Sequence, residues 1–484
     1  MERKLLLAAL CAFSYSAVHG QSDVRKNVLF ILTDDMQNNA IGALGNHQVQ
    51  TPNIDELVNS GTAFVNTYTN GSIGGALSMP SRAMLMTGRG VFQVKRDGSY
   101  IPPEEKTIGE TFRENGYNTF ATGKWHADAK SFNRSFEDGD NLHFGGMHSY
   151  HEGGHVTPYL KHYDTTGEYK EDRFIGGKFS SEMFADAAVK FIESSVADPR
   201  PFFTYVAFTS PHDPRQQHPW YGNVPSGDTI KLPPNFLSRH PFDNGELEIR
   251  DEVLLPIPRT EKMMRDDLAN YYGMINEVDV QIGRIIDALK ESGQYENTII
   301  VFAADNGLAM GQHGLIGKQN LYDPSAKVPL IFVGGSIPEG AKSGSYAYLF
   351  DVFPTLCDLT GMNIPSSVTG HSLVPAAKKG NKGGRNEILL AYSSIQRAIV
   401  KDHWKYIIYN VAGVITEQLF DLKNDPWEMH SKAGDPKYAS KVKKYHELLQ
   451  AEMTKAGDFC NLNDPTWWGQ DHKITWEEGL NLFQ

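Results

Sequence analysis

The sequence predicts an α/β protein: a mostly parallel sheet covered on both faces by helices, followed by a smaller α+β domain with an antiparallel sheet. Three observations carry this. Continuous apolar runs, NVLFILTDD (27–35), PFFTYVAFTSPH (201–212) and TIIVFAADNG (298–307), read as strands buried on both faces. Amphipathic helical patterns alternate with these runs, as the crossovers of a parallel sheet require. After His371 the texture changes to short strands with tight turns and one amphipathic helix.

The elements follow in chain order. Arg3 and Lys4 precede LLLAALCAFSYSAV, with small residues at Val18 and Gly20. This is the pattern of a secretory leader cut after Gly20, and its apolar run is too short for a good membrane span. TPNIDELVNSG predicts a short helix with Thr51 or Asn53 as cap and Gly61 as stop. LSMPSRAMLMTGR (77–89) follows a glycine-rich stretch and predicts a loop entering a helix with Pro80 in its first turn. TIGETFRENGYNTFATGKWH reads as helix, turn at Gly116, and a strand ending at Gly123. SSEMFADAAVKFIESS sets Met183, Phe184, Ala187, Ala188, Phe191 and Ile192 on one helical face. A long helix over 271–293 aligns Ile275, Asp279, Ile282, Ile286 and Leu289. KVPLIFVGG and YLFDVFPTLCDLTG add a strand and a helix. The expected organisation is a leader over 1–20, a larger domain over 21–372 and a smaller one over 373–484.

Composition narrows the function. The formal net charge is −12, and removing the leader makes it −13. That argues against nucleic acid or an anionic membrane as partner. No later segment is long and apolar enough to span a membrane. Beyond the leader only Cys357 and Cys460 remain, so a disulfide framework does not hold the fold.

The chemistry gathers where strands end, which is where sheets of this kind place their sites. Asp34 and Asp35 follow one strand; Asp305 and Asn306 follow another. Either pair alone also suits a helix or turn cap. Together they are hard oxygen donors suited to calcium or magnesium and unlike a zinc set. Basic groups join them: Lys124 and His126 in GKWH, His212 in SPHDP, Lys318 in GLIGKQNLYD, and Arg82. Cations beside a divalent metal make a site for a tetrahedral oxyanion ester, sulfate or phosphate. Removing Asp305 is expected to abolish metal binding with little effect on the fold.

Seven segments, NVLFILTDD, TPNIDELVNSG, SMPSRAMLMTGR, GYNTFATGKWH, SPHDP, ADNG and GKQNLYD, stand in an order that resembles the formylglycine-dependent type I sulfatases of the alkaline-phosphatase-like superfamily. The resemblance covers almost the whole chain beyond the leader. It implies an alkaline-phosphatase-like fold and a nucleophile made from Ser78, oxidised to formylglycine and hydrated to a geminal diol. One hydroxyl of the diol would attack sulfur and the other would then eject sulfate. The resemblance further implies that Asp34, Asp35, Asp305, Asn306 and the Ser78-derived group hold calcium rather than magnesium. Arg82 and Lys124 would fix the diol and the developing charge, His126 would act as base, and His212 and Lys318 would bind sulfate, one of the two helping to protonate the leaving oxygen. A serine at position 78 implies a radical serine-modifying maturation enzyme in a bacterium, and a secreted or periplasmic product.

The expected substrate is a sulfated glycan, such as a glycosaminoglycan or mucin fragment, attacked in exo fashion. His143, His148, Tyr150, His151, His155 and Tyr159, with DPRQQHPWY after His212, would form a sugar-facing rim. A general arylsulfatase, or a phosphonate or phosphate monoester hydrolase of the same superfamily, is the nearest alternative. A sulfoglycan-binding protein with unmodified Ser78 is the alternative of another class.

Overall fold

The computed structural model describes residues 25–170, 173–218, 224–380 and 383–464, so the leader lies outside the described residues. The strands up to the middle of the chain are β1 (Asn27–Thr33), β2 (Gly61–Tyr68), β3 (Gly71–Ser72), β4 (Asn118–Lys124), β5 (Asp138–His143), β6 (Tyr159–Lys161), β7 (Arg173–Ile175) and β8 (Phe202–Ala207). Those that follow are β9 (Thr298–Ala304), β10 (Lys327–Val328), β11 (Leu330–Val333), β12 (Ala341–Tyr348), β13 (Glu387–Tyr392), β14 (Gln396–Lys401), β15 (Trp404–Val411) and β16 (Val414–Asp421).

The larger sheet has eleven strands in the order β10-β2-β11-β9-β1-β8-β4-β5-β6-β7, with β12 paired to β2. Its centre, β9-β1-β8-β4-β5, is parallel, as the apolar runs require. Every residue of β1, β8 and β9 is buried, because helices cover both faces. The Ser180–Ser195 and Glu261–Glu291 helices pack against each other, and the expected face of the longer one is buried at Ile275, Ile282, Ile286 and Leu289. Each such side chain contributes roughly 1.5–3 kcal/mol of burial.

The flanks were not anticipated. β2 and β12 add a mixed edge, antiparallel to β11 and parallel to each other. GTAFVNTY and AKSGSYAY alternate apolar with Thr, Asn and Ser, so neither gives the continuous run of a central strand. The cap of the Pro52–Ser60 helix also differs from expectation. Thr51 occupies the N-cap position but makes no capping bond. Asp279 of the long helix serves instead, accepting the backbone N–H of Ile54 at 2.8 Å and of Asn53 at 3.2 Å. That explains an acid within an apolar stripe.

The smaller sheet runs β16-β15-β14-β13-β3, and the Ala439–Ala456 helix packs on it. β13 through β16 are antiparallel hairpins, while β3 joins from far upstream and pairs parallel with β13. At Gly71 in β3 a Cβ would stand 1.8 Å from the Ala391 carbonyl oxygen, and φ is +97°, so only glycine fits. The C-terminal sheet therefore grips the chain seven residues before Ser78.

Candidate active site

The site lies at the C-terminal ends of β1, β4, β8 and β9. β1 delivers Asp34 and Asp35, and β9 delivers Asp305 and Asn306; all four are buried. β1 and β9 run side by side in register, which brings the two pairs together. β4 delivers Lys124 directly after Gly123, where φ is +90° and a Cβ would stand 1.9 Å from the Ala207 carbonyl oxygen, so the strand approaches β8 there as only glycine can. The neighbouring β5 carries a bulge opposite this point, with Asn141 as its extra residue at φ +53°. Ser78 opens the Ser78–Thr87 helix, which places Arg82 one turn further along the same face.

These residues form one network. The Ser78 hydroxyl lies 3.1 Å from Asp34 Oδ1 and 3.0 Å from Asn306 Oδ1, and Lys318 Nζ donates to it at 3.1 Å. Lys318 also pairs with Asp35 at 2.6 Å, and Lys124 pairs with Asp34 at 2.5 Å. Arg82 Nε donates to Asp305 at 2.9 Å, and its Nη2 lies 3.7 Å from Asp34. Asn306 Nδ2 donates to Asp35 at 2.6 Å. The second oxygen of Asp305 accepts the backbone N–H groups of Asn306, at 2.8 Å, and Asp35, at 3.2 Å.

A cleft of about 400 Å³ opens onto Ser78, His126, His212 and Lys318. Arg82 and Lys124 do not line it; they stand behind the carboxylates and orient them. His212 lies between two acids, with Nε2 3.6 Å from Asp35 and Nδ1 3.2 Å from Asp213. His126 is partly buried, with φ at +64°, and among the described residues its Nδ1 has no hydrogen-bond partner.

Electrostatics assigns each group a state. Burial would raise the Asp34 carboxyl, but Lys124, His212 and Arg82 outweigh it and hold it near 2. Burial works against the Lys318 charge too, yet Asp35, Asp251, Asp34 and Asp305 raise its pKa, so it stays an ammonium. His126 is pushed well below its ordinary range by burial and by Lys124, Arg82 and Lys318, so it is neutral near pH 7. A neutral imidazole beside three cations can take a proton but holds it weakly.

The donor set fits a hard divalent cation. Asp34, Asp35 and His212 each offer a ligand atom within 4.8 Å of the others. Asn306 Oδ1 and the Ser78 hydroxyl meet Asp34 in the same space. Oxygens dominate, as calcium and magnesium prefer.

Sequence reasoning missed the outer wall of the cleft: Glu246, Arg250, Asp251, Gln319 and Tyr392. The first three come from a long irregular segment that ends no strand. The expected sugar-facing rim is divided. Tyr150 and His151 are exposed, but His148 and His155 are buried. His155 is a support: its Nε2 bonds the His212 carbonyl at 3.0 Å and its Nδ1 bonds Ser180 at 2.9 Å.

Comparison with known proteins accords with this geometry. A family model described as Sulfatase matches residues 26–362, and one described as N-sulphoglucosamine sulphohydrolase, C-terminal, matches residues 311–455. An N-acetylglucosamine-6-O-sulfatase of Bacteroides thetaiotaomicron is 25% identical, over 95% of this chain and 91% of its own. A Delta 4,5-hexuronate-2-O-sulfatase of the same organism is 27% identical, over 90% of this chain and 91% of its own. The fold is shared with a protein solved in complex with its substrate D-glucosamine-2-N,6-O-disulfate. The TM-score is 0.71 at 24% identity, covering 91% of this chain and 99% of that one.

Proposed function

The chain belongs to the sulfatase family and is a sulfuric ester hydrolase, and from that premise we propose that it is an exo-acting, extracytoplasmic carbohydrate sulfatase with calcium and a formylglycine made from Ser78. The observation that carries the reading is the setting of Ser78: a buried hydroxyl between Asp34, Asn306 and Lys318, at the floor of a cleft shared with His126 and His212. An ordinary serine hydroxyl is a weak nucleophile near neutral pH and needs an adjacent base or a metal. Here its neighbours are a cation and oxygen acceptors, and the neutral His126 is not bonded to it. That favours a chemically altered side chain over a serine–histidine pair.

Asp34, Asp35, Asp305, Asn306 and the Ser78-derived group would hold the metal. When bound, a dication lowers the pKa of an oxygen it holds and offsets the charge of the sulfate ester. The remaining work belongs to the chain. Lys318 binds a sulfate oxygen and stays charged through turnover. Arg82 and Lys124 lock the carboxylates in place. His126 accepts a proton when sulfate is eliminated. His212, oriented by Asp213 and by His155 behind it, stands where it can protonate the leaving sugar oxygen. The leader pattern and the glycan-directed relatives support an extracytoplasmic site of action, and Ser78 calls for a radical serine-modifying enzyme during maturation.

Chelation provides one check. Dialysis against a chelator is expected to lower turnover about 100-fold or more, and calcium is expected to restore it. Full turnover after verified metal removal would exclude the metal role. Substrate class is tested by a screen of the matured protein on 2-, 3-, 4- and 6-O-sulfated mono- and disaccharides, with an aryl sulfate and an aryl phosphate alongside. Turnover of at least one sugar sulfate above the aryl phosphate is expected. Turnover of aryl sulfates with no sugar sulfate would overturn the glycan reading, and a preference for the phosphate would favour a monoester phosphatase.

A further inference from the structure

The long Glu261–Glu291 helix touches the backbone beside the candidate metal site through the hydroxyl of Tyr271. Tyr271 is fully buried and does not line the cleft. Its hydroxyl donates to the Asp35 carbonyl oxygen at 2.7 Å and accepts the Gln37 backbone N–H at 2.9 Å. Burial holds its pKa above the usual phenol range, so the proton stays on the oxygen and is available to donate.

These two bonds clasp the turn that leaves β1. Asp35, just past the strand, has φ at +65°. Left-handed backbone is uncommon outside glycine; aspartate tolerates it better than most residues, and it persists where neighbours hold it. Here Asp35 is held on both sides: its N–H goes to Asp305 Oδ1 at 3.2 Å and its C=O to Tyr271. Its carboxylate meets Lys318 at 2.6 Å, Asn306 Nδ2 at 2.6 Å and His212 Nε2 at 3.6 Å. It is also one of the three groups, with Asp34 and His212, whose ligand atoms gather within 4.8 Å. A change of φ at Asp35 swings Cβ, and the carboxylate with it, away from that gathering. Phenylalanine at position 271 would leave both backbone groups of the turn without the hydroxyl that joins them.

We propose that Tyr271 is a positioning residue for the metal: its hydroxyl locks Asp35 in the left-handed turn from which the carboxylate serves as a ligand, so calcium affinity depends on it and the chemical step does not. The inference rests on the calcium reading above. Groups behind a metal ligand orient it, and their loss lowers metal affinity roughly 10–100-fold.

The test compares Tyr271→Phe with Tyr272→Phe in the matured protein. Tyr272 is the next residue on the same helix, is also buried, and its hydroxyl accepts Asn46 Nδ2 at 3.1 Å. Each change removes one buried hydroxyl and keeps the ring, so a general loosening of the helix would show in both. Calcium is titrated into chelator-treated protein, with affinity read by calorimetry and by the rise in melting temperature that binding produces. Tyr271→Phe is expected to raise the calcium Kd about tenfold or more, and Tyr272→Phe less than about twofold. The calcium needed for half-maximal turnover should rise in Tyr271→Phe by the same factor, and turnover lost at low calcium should return as calcium is raised. An unchanged Kd in Tyr271→Phe overturns the proposal and leaves the calcium reading intact. So does an equal rise in both variants, or turnover that saturating calcium does not restore. A Tyr271→Phe protein that folds at no calcium concentration, while Tyr272→Phe folds, makes the hydroxyl part of the scaffold and overturns the proposal as well. Native protein that binds no calcium defeats the metal reading itself, and this proposal with it.

Discussion

Ser78→Ala is expected to abolish sulfate ester hydrolysis, lowering kcat about 10⁴-fold or more, as removal of an attacking group does elsewhere. The fold should survive. The Ser78–Thr87 helix takes no capping bond from its N-cap residue, Leu77, and the hydroxyl fills no apolar pocket. Its loss frees one oxygen each on Asp34 and Asn306 and one donor on Lys318. Lys318 retains Asp35, Asp34 retains Lys124 and Asn306 retains two other bonds. The stability cost is therefore about 1–3 kcal/mol, that of incompletely satisfied buried groups. Initial rates on an aryl sulfate, with a melting curve on the same preparation, check both halves. A variant that keeps more than about a hundredth of the rate would place the attacking group elsewhere.

Asp305→Ala is expected to lose activity and stability together. The sequence suggested a residue that serves the metal and little else. In the structure Asp305 holds the site: one oxygen takes Arg82 Nε, the other takes two backbone N–H groups, and its carbonyl takes the Ser81 hydroxyl. Alanine leaves the Arg82 guanidinium 1% exposed, with Asp34 at 3.7 Å as the carboxylate still paired with it among the described residues. Breaking a buried pair from one side costs about 3–5 kcal/mol, because a charge is left without compensation. The melting temperature should fall by roughly 5–15 °C. Removing both partners separates the two roles. Asp305→Ala with Arg82→Met should regain part of the lost stability and none of the activity. If Asp305→Ala alone keeps the native melting temperature, the ion pair is not the scaffold described.

Most of the candidate site was legible because its physics is local. A strand buried on both faces must be a continuous apolar run, and polar residues at its end stand out against it. Asp34, Asp35, Lys124, His212, Asp305 and Asn306 were all found in that way. Ser78 and Arg82 were legible through the motif that contains them. What escaped depends on partners far along the chain. Asp279 looked out of place until the Pro52–Ser60 helix was seen to need its carboxylate. β2 and β12 are strands through pairing, with Thr, Asn and Ser where an apolar run would have announced them. Glu246, Arg250 and Asp251 sit in irregular backbone with no period to read. In the histidine-rich segment, composition could not separate exposed His151 from buried His155. That difference arises where the chain folds under His212.

The mass of the peptide that contains Ser78 tests the central claim most directly. Trypsin should release it from the matured, active protein as Asn27 to Arg82, since no lysine or arginine lies between Lys26 and Arg82. The prediction is a species lighter by two hydrogens than the unmodified peptide, in a fraction that rises and falls in proportion to turnover across preparations. Full turnover from a protein whose Ser78 peptide has the unmodified mass throughout would contradict the account.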